Sequence, residues 1–150
     1  MRSAEIDRVL RIQVAHGDVR TRARLRKVFE EAGLVICAET ATDAEAFEAA
    51  VREDPDVSVL DAAAGRSVLA LTAQIKKALP KSKVVLLNAV ADEKRVIEAA
   101  RAGADGYLLQ GVDLARLPDV IRAVAAGEAA YPRSLLAPVL AGLAAPKNAG

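Results

Sequence analysis

The chain has almost no aromatic residues: tryptophan is absent, and aromatic side chains make up only 3% of its 150 residues. Because 53% of the residues are nevertheless hydrophobic, the core has to be built from Val, Leu, Ile and Ala, which suit helices packed closely on a sheet. A chain of this length usually forms one domain and buries about two-thirds of the surface that its unfolded form exposes. The composition therefore predicts a single domain with an aliphatic core.

Cysteine and net charge are also scarce. Cys37 is the only cysteine, which excludes a disulfide framework or a cysteine-rich zinc site, and its apolar neighbours predict a buried strand. The formal net charge is +1, so no strong basic field favours nucleic acid or a membrane surface as a direct partner. The sequence has no signal-peptide core and no run of roughly 18 apolar residues. We therefore expect a cytoplasmic protein.

Short apolar runs alternate along the chain with segments of helical periodicity. The runs are nearly continuous in Val, Leu and Ile, which is typical of parallel strands covered on both faces. They lie at residues 10–15, 34–38, 57–61, 83–87 and 106–109. Five such units predict an α/β fold with a doubly wound, five-stranded parallel sheet of the flavodoxin-like type.

Several helix boundaries can be predicted from single residues. Thr42 and Glu45 have the spacing of a capping box, and Asp92 is expected to start the fourth helix. Pro118 fits the fifth helix only if it lies in the first turn. A further short helix is expected after Pro132.

One carboxylate is notable because of where its strand ends. Asp61 closes the third apolar run, so it should lie at the carboxyl edge of the sheet, where ligands bind in open parallel sheets. The ends of the neighbouring strands carry His16, Gly17, Asn88 and Gln110. None of these supplies the carboxylates, hydroxyl and lysine that a metal or phosphate site would need, so Asp61 is predicted to be an isolated carboxylate.

Three stretches are similar to one known family: residues 55–61 (PDVSVLD), 83–87 (KVVLL) and 99–109 (AARAGADGYLL). From residue 9 to about residue 143 the chain resembles the receiver domain of bacterial two-component response regulators, in their LuxR-type (NarL/FixJ) branch. Residues 121–128 (IRAVAAGE) look like the fifth helix of that branch. The resemblance implies a CheY-like three-layer sandwich that switches a partner or an attached output domain.

The resemblance also implies what each strand end should carry. Asp61 matches the phosphoacceptor, and Tyr107 matches the aromatic residue that changes position between states. The other positions depart from the family: His16 and Gly17 replace its two magnesium-binding acids, Asn88 replaces a Ser or Thr, and Gln110 replaces a lysine. The resemblance therefore indicates an atypical, degenerate receiver, or pseudo-receiver.

These departures bear on phosphoryl transfer. The reaction needs the negative charge on the three equatorial oxygens of the phosphoryl group to be neutralised by cations. Mg²⁺, which normally does this, prefers carboxylate and water ligands. Asp18 lies one step past the metal-binding pair and is not expected to point inward. Gln110 can donate only a neutral hydrogen bond, roughly half as strong as a charge-assisted one. We therefore expect no cofactor and no catalytic residue, with Mg²⁺ relevant only if Asp61 is a working phosphoacceptor.

For some residues the sequence leaves two interpretations open. His16 could sense pH or bind a transition metal, but an ordinary loop histidine is the simpler interpretation. Tyr107 could be the switch aromatic or a half-buried strand tyrosine. Asp61 could keep a signalling role or only accept hydrogen bonds. The basic residues 20–27 could form a solvated helix face, partly paired with Glu30 and Glu31, or the rim of a dimer.

Three functional hypotheses follow. The leading one is a non-enzymatic receiver that signals and dimerises without phosphorylation and controls a LuxR-type DNA-binding output. A partner, a small-molecule ligand or the expression level would set its equilibrium between states. The second is a Mg²⁺-dependent phospho-receiver with a histidine kinase partner. The third is an adaptor domain of a larger ATPase or assembly protein. We expect residues 1–128 to form the receiver-like domain and residues 129–150 a C-terminal helix and tail, a candidate junction to an output domain.

Overall fold

The structure, a computed structural model, describes residues 8–64, 66–88, 92–109 and 114–144. Its strands are β1 (Arg11–Ala15), β2 (Val35–Thr40), β3 (Val57–Asp61), β4 (Lys83–Asn88) and β5 (Gly106–Leu109). Its α-helices are α1 (Val19–Glu31), α2 (Asp43–Glu53), α3 (Arg66–Ala78), α4 (Glu93–Arg101), α5 (Leu117–Ala125) and α6 (Leu136–Ala144). Short 3₁₀ turns precede α3, α5 and α6.

The strands form one parallel sheet in the order β2-β1-β3-β4-β5. Helices cover both faces: α1 and α5 pack on one side, while α2, α3 and α4 pack on the other. The central strand β3 is buried from Val57 to Leu60, as its continuous apolar run requires in a sheet covered on both faces. The predicted flavodoxin-like fold is therefore confirmed, and its topology brings the ends of β1, β3 and β4 together.

Strand β2 differs from the prediction of a buried strand. It lies at an edge of the sheet, Val35 is 45% exposed, and Cys37 is only partly buried. The apolar run could not reveal this, because the exposure depends on the strand order and not on the strand's own residues. Partial burial still raises the pKa of the Cys37 thiol above its usual value.

The predicted helix boundaries agree with the structure. Thr42 and Glu45 form the capping box at the start of α2, with hydrogen bonds in both directions. Asp92 caps α4 by accepting the N–H of Lys94, and Pro118 lies in the first turn of α5. Thr42 and Asp92 each accept a backbone N–H that has no partner inside the helix, and Pro118 has no N–H that would need one.

Carboxylates at the amino edge of the sheet, where the strands begin, bind both cations and backbone groups. Asp56 pairs with Arg8 at 2.8 Å and accepts the N–H of Arg11 at 2.8 Å. Asp105 pairs with Lys76 at 3.0 Å and accepts the N–H of Val84 at 2.9 Å. Each of the two carboxylates therefore ties its own loop to the start of another strand.

The segment after α5 packs back onto the domain. Ala130 pairs with Gly106 as a short parallel bridge, and a Cβ on Gly106 would lie 2.8 Å from the Ala130 oxygen. Helix α6, the helix expected after Pro132, contacts α4, where a Cβ on Gly142 would come within 2.5 Å of Ile97. Glycine at both positions therefore permits the close approach. Among the described residues, no helix is long and apolar enough to cross a membrane.

Candidate functional site

Asp61 lies at the end of the central strand, as its sequence position predicts. Its side chain is 21% exposed, and its Oδ1 atom accepts the N–H of Ala63 at 2.9 Å. This bond belongs to the 3₁₀ turn that starts directly after β3. The N–H of Ala63 is thus one of the groups that orient the carboxylate. Asp61 accepts a hydrogen bond here, and this bond leaves open whether it also keeps a signalling role. The second oxygen, Oδ2, faces the end of β1.

His16 occupies that position and is held firmly. Its backbone N–H donates to the Thr40 oxygen at 3.0 Å, and its own carbonyl accepts from Arg22 at 2.6 Å. The side chain is only 8% exposed. Its Nδ1 atom accepts the N–H of Asp18 at 3.0 Å, so in the neutral ring the proton lies on Nε2.

The Nε2 atom of His16 points towards Asp61. It lies 3.7 Å from Asp61 Oδ2, which is longer than the roughly 2.7–3.2 Å of an N–H···O hydrogen bond. Among the residues that the structure describes, this buried atom has no hydrogen-bond partner. His16 therefore places an N–H donor, and not an anionic oxygen, beside the carboxylate.

The same geometry argues against His16 as a transition-metal ligand. A histidine that binds metal through Nε2 normally carries its proton on Nδ1 and donates it to an acceptor. Here Nδ1 faces the N–H of Asp18, which can only donate. No group of three His, Cys, Asp or Glu side chains suited to a metal occurs within the described ranges. The metal interpretation of His16 is therefore the less favoured of the two.

Asp18, the carboxylate one step past the predicted metal-binding pair, is bonded within its own helix start. It caps α1: its Oδ1 atom accepts the N–H of Arg20 at 3.2 Å, and its Oδ2 atom accepts the hydroxyl of Thr21 at 2.7 Å. These bonds lower the pKa of the exposed Asp18 carboxyl, with the Thr21 hydroxyl contributing most. Gly17 has no side chain to contribute. Asp18 thus serves the helix start and not the strand end.

The described side chains around Asp61 do not fit Mg²⁺, the ion that receiver domains use. Mg²⁺ requires near-octahedral oxygen ligands and is usually held by one or two carboxylates with water. Asp61 supplies one carboxylate, while His16 presents a donor and Gly17 presents nothing. A cation bound to Asp61 Oδ2 would also lie against the N–H of His16. The chemistry of the site therefore favours a hydrogen-bonded carboxylate over a metal-bound one.

The next strand end joins two further predicted residues. Asn88, the last residue of β4, is buried, and its Nδ2 atom donates to the Tyr107 hydroxyl at 2.8 Å. Tyr107, on β5, is also buried, so its ring points into the protein. The amide of Asn88 thus links the two positions directly. Gln110, the remaining predicted residue, lies outside the described residues.

The basic residues of α1 do not make the predicted pairs with Glu30 and Glu31 among the described residues. Arg26 pairs with Glu39 of β2 at 2.9 Å and not with Glu30 or Glu31. Arg22 donates to the carbonyl of His16. Sequence reasoning missed this contact, because it follows from the angle between α1 and β1. Arg22 therefore helps to fix the site and is not simply part of a solvated face.

Comparison with known proteins shows the family to which this chain belongs. The response regulator receiver domain family matches residues 12–122, so the chain belongs to that family. Oxygen regulatory protein NreC of Staphylococcus haemolyticus is 30% identical over 115 residues, which cover 75% of this chain and 52% of NreC. The uncharacterized transcriptional regulatory protein YxjL of Bacillus subtilis is 32% identical over 124 residues, covering 81% of this chain and 57% of YxjL.

Solved structures show the same fold. A two-component response regulator of the LuxR family from Aurantimonas sp. SI85-9A1 matches with a TM-score of 0.80 and 24% identity, covering 89% of this chain and 97% of that one. This match agrees with the predicted fold, and the receiver family predicted from the sequence is confirmed by the family match over residues 12–122. The chain spans about half the length of the two regulators NreC and YxjL.

Proposed function

We propose that this chain is an atypical receiver domain that signals through binding and self-association, without Mg²⁺-dependent phosphorylation of Asp61. The observation that carries the proposal is the buried His16 ring, whose Nε2 atom faces Asp61 Oδ2 at 3.7 Å. In this arrangement an N–H group of His16, and not an anionic oxygen, stands beside the carboxylate that would have to hold the cation. The chain is then a regulatory, non-enzymatic domain of a two-component pathway.

Tyr107 is the second element of the proposal. Its hydroxyl accepts from the buried Asn88 amide, and this bond holds the ring inward. A two-state domain needs only a partner or ligand that binds one state better than the other. We propose that such a binding event, and not phosphorylation, sets the position of Tyr107.

The partners follow from the family and remain part of the proposal. We propose a homodimer in the cytoplasm that controls a LuxR-type DNA-binding output, with residues 1–128 as the receiver-like unit and residues 129–150 as the junction. The proposal assigns no direct nucleic-acid or membrane contact to this domain. Its support is the similarity to transcriptional regulators such as YxjL.

The test is a phosphorylation assay on the 150-residue chain. The protein is incubated with acetyl phosphate, with and without Mg²⁺, and its mass is measured before and after digestion. We expect no Mg²⁺-dependent gain of a phosphoryl group at Asp61, and a dimerisation constant from analytical ultracentrifugation that the phosphodonor leaves unchanged.

A matched variant makes a negative result informative. Replacing four strand-end residues with the family's types (His16→Asp, Gly17→Asp, Asn88→Thr and Gln110→Lys) should create Mg²⁺-dependent phosphorylation, and adding Asp61→Asn should abolish it. A Mg²⁺-dependent adduct on Asp61 of the unmodified chain would overturn the proposal and leave the kinase-dependent phospho-receiver as the better hypothesis.

A further inference from the structure

A cavity of about 270 Å³ opens between α3 and α4, next to the strand ends. A cavity of roughly 150 Å³ already accepts benzene, and pockets for drug-sized ligands start at about 300 Å³. The space therefore suits a molecule with one ring or a short branched chain and one small polar group.

The inner wall of the cavity is apolar. It is formed by Ala62, Val68, Leu69, Leu86 and Tyr107. Ala62 directly follows Asp61 along the chain, and the Tyr107 hydroxyl is bonded to Asn88. A ligand in the cavity would therefore touch both the turn after Asp61 and the switch aromatic.

The mouth of the cavity is charged and lies along the first two turns of α4. It carries Asp92, Lys94, Arg95 and Glu98. Asp92 is already engaged as the N-cap of α4. Within the described residues, Lys94, Arg95 and Glu98 have no ion-pair partner, so two free cations face one free carboxylate, and the start of a helix favours negative charge. A carboxylate thus complements the mouth better than an ammonium group does.

We propose that this cavity binds a small carboxylic acid, with its apolar body against Leu86 and the Tyr107 ring and its carboxylate at Lys94 and Arg95. Such a ligand would hold Tyr107 in its inward position. The inference gives the domain proposed above a class of ligand, but binding in the cavity does not depend on whether Asp61 is phosphorylated. The two proposals can therefore fail separately.

The test is a titration of the 150-residue chain with phenylacetate, followed by methyl and aromatic NMR shifts. We expect saturable shifts at Val68, Leu69, Leu86 and Tyr107. Methyl phenylacetate, which has no charge, should bind at least about threefold more weakly, the size of a surface ion pair.

Two variants locate the site. Lys94→Ser combined with Arg95→Ser, both exposed positions, should weaken phenylacetate binding by about three- to fivefold, whereas Lys77→Ser, an exposed lysine on α3 outside the cavity, should not. Leu69→Trp should fill the cavity and abolish the shifts, with thermal unfolding as the check on folding. No saturable shift from phenylacetate, equal binding of its methyl ester, or unchanged binding by both cavity variants would each overturn the inference.

Discussion

The two edges of the sheet use carboxylates in different ways. At the amino edge, Asp56 and Asp105 each bind a cation and a backbone N–H of another strand. At the carboxyl edge, Asp61 accepts a backbone N–H from its own turn, and its other oxygen faces the Nε2 atom of His16 at 3.7 Å. The amino edge thus holds loops to strands through charge, while the carboxyl edge keeps a carboxylate of no evident structural importance.

This contrast is consistent with the atypical receiver proposed above. Charged hydrogen bonds contribute roughly 1.5–3 kcal/mol each, about twice the value of neutral ones. The charged contacts of the amino edge therefore hold the fold without help from the residues around Asp61. The difference between the edges can be tested in three ways.

The largest effect is expected at Asp105. Replacing Asp105 with Ala leaves Lys76 without its ion pair and the N–H of Val84 without its acceptor, so the free energy of unfolding should fall by about 2 kcal/mol. Urea denaturation measures it, with Glu48→Ala, an exposed helical carboxylate, as the control. A loss below about 0.5 kcal/mol, the usual size for surface substitutions, would show that the amino edge is not held by this carboxylate.

A second, pH-dependent effect is expected at Tyr131, which belongs to the same edge because its hydroxyl donates to the carbonyl of Ala104. Burial raises the pKa of the Tyr131 phenol, and the nearby charge of Asp105 raises it further. The folded protein therefore keeps the proton longer than the unfolded chain does. This contribution to stability is complete below about pH 10, where the unfolded phenol titrates, and is lost as the pH rises further.

The measurement compares the parent chain with Tyr131→Phe between pH 8 and about pH 11, a range that spans the titration of an unfolded tyrosine. Above pH 10 the parent should lose stability faster than the variant, by up to about 1.4 kcal/mol per pH unit. Lysine titration affects both proteins equally and cancels in the difference. Parallel curves would mean that Tyr131 does not couple this edge to pH.

The smallest effect is expected at Asp61. Asp61→Asn removes the charge but keeps an oxygen for the N–H of Ala63, so stability should change by about 0.5 kcal/mol or less. Asp105→Asn is the matched change at the other edge and should cost more. If Asp61→Asn lowered stability by as much as Asp105→Asn, His16 would be acting as a charged partner and the contrast between the edges would disappear.

Much of the fold could be predicted because local and global signals agree. Apolar continuity identified β3, while Thr42 with Glu45 and Pro118 marked helix starts whose backbone groups need specific partners. The exposure of β2 could not be predicted in this way. It depends on which strand lies at the edge, and no residue within the strand encodes that order.

Which residues meet at the site could be predicted, but the directions of their side chains could not. Parallel strands that end at one edge necessarily bring His16, Asp61 and Asn88 together. The direction of the His16 ring could not be predicted, because the N–H of Asp18 sets it. The bond between Asn88 and Tyr107 could not be predicted either, because it depends on how β4 and β5 are aligned with each other. The contact between Asp105 and Lys76 could not be predicted either, because the two residues are 29 positions apart in the chain.

The short bridge between Gly106 and Ala130 has a mechanical consequence. The N–H of Tyr107 donates to Ala130 at 2.7 Å, and Arg101 of α4 donates to Gly142 of α6 at 2.9 Å. The chain after α5 is therefore held both beside Tyr107 and on α4, the helix that borders the cavity. A shift of Tyr107 or of α4 would be passed through these hydrogen bonds to the chain around α6. A displacement inside the sheet would then become a movement at the surface.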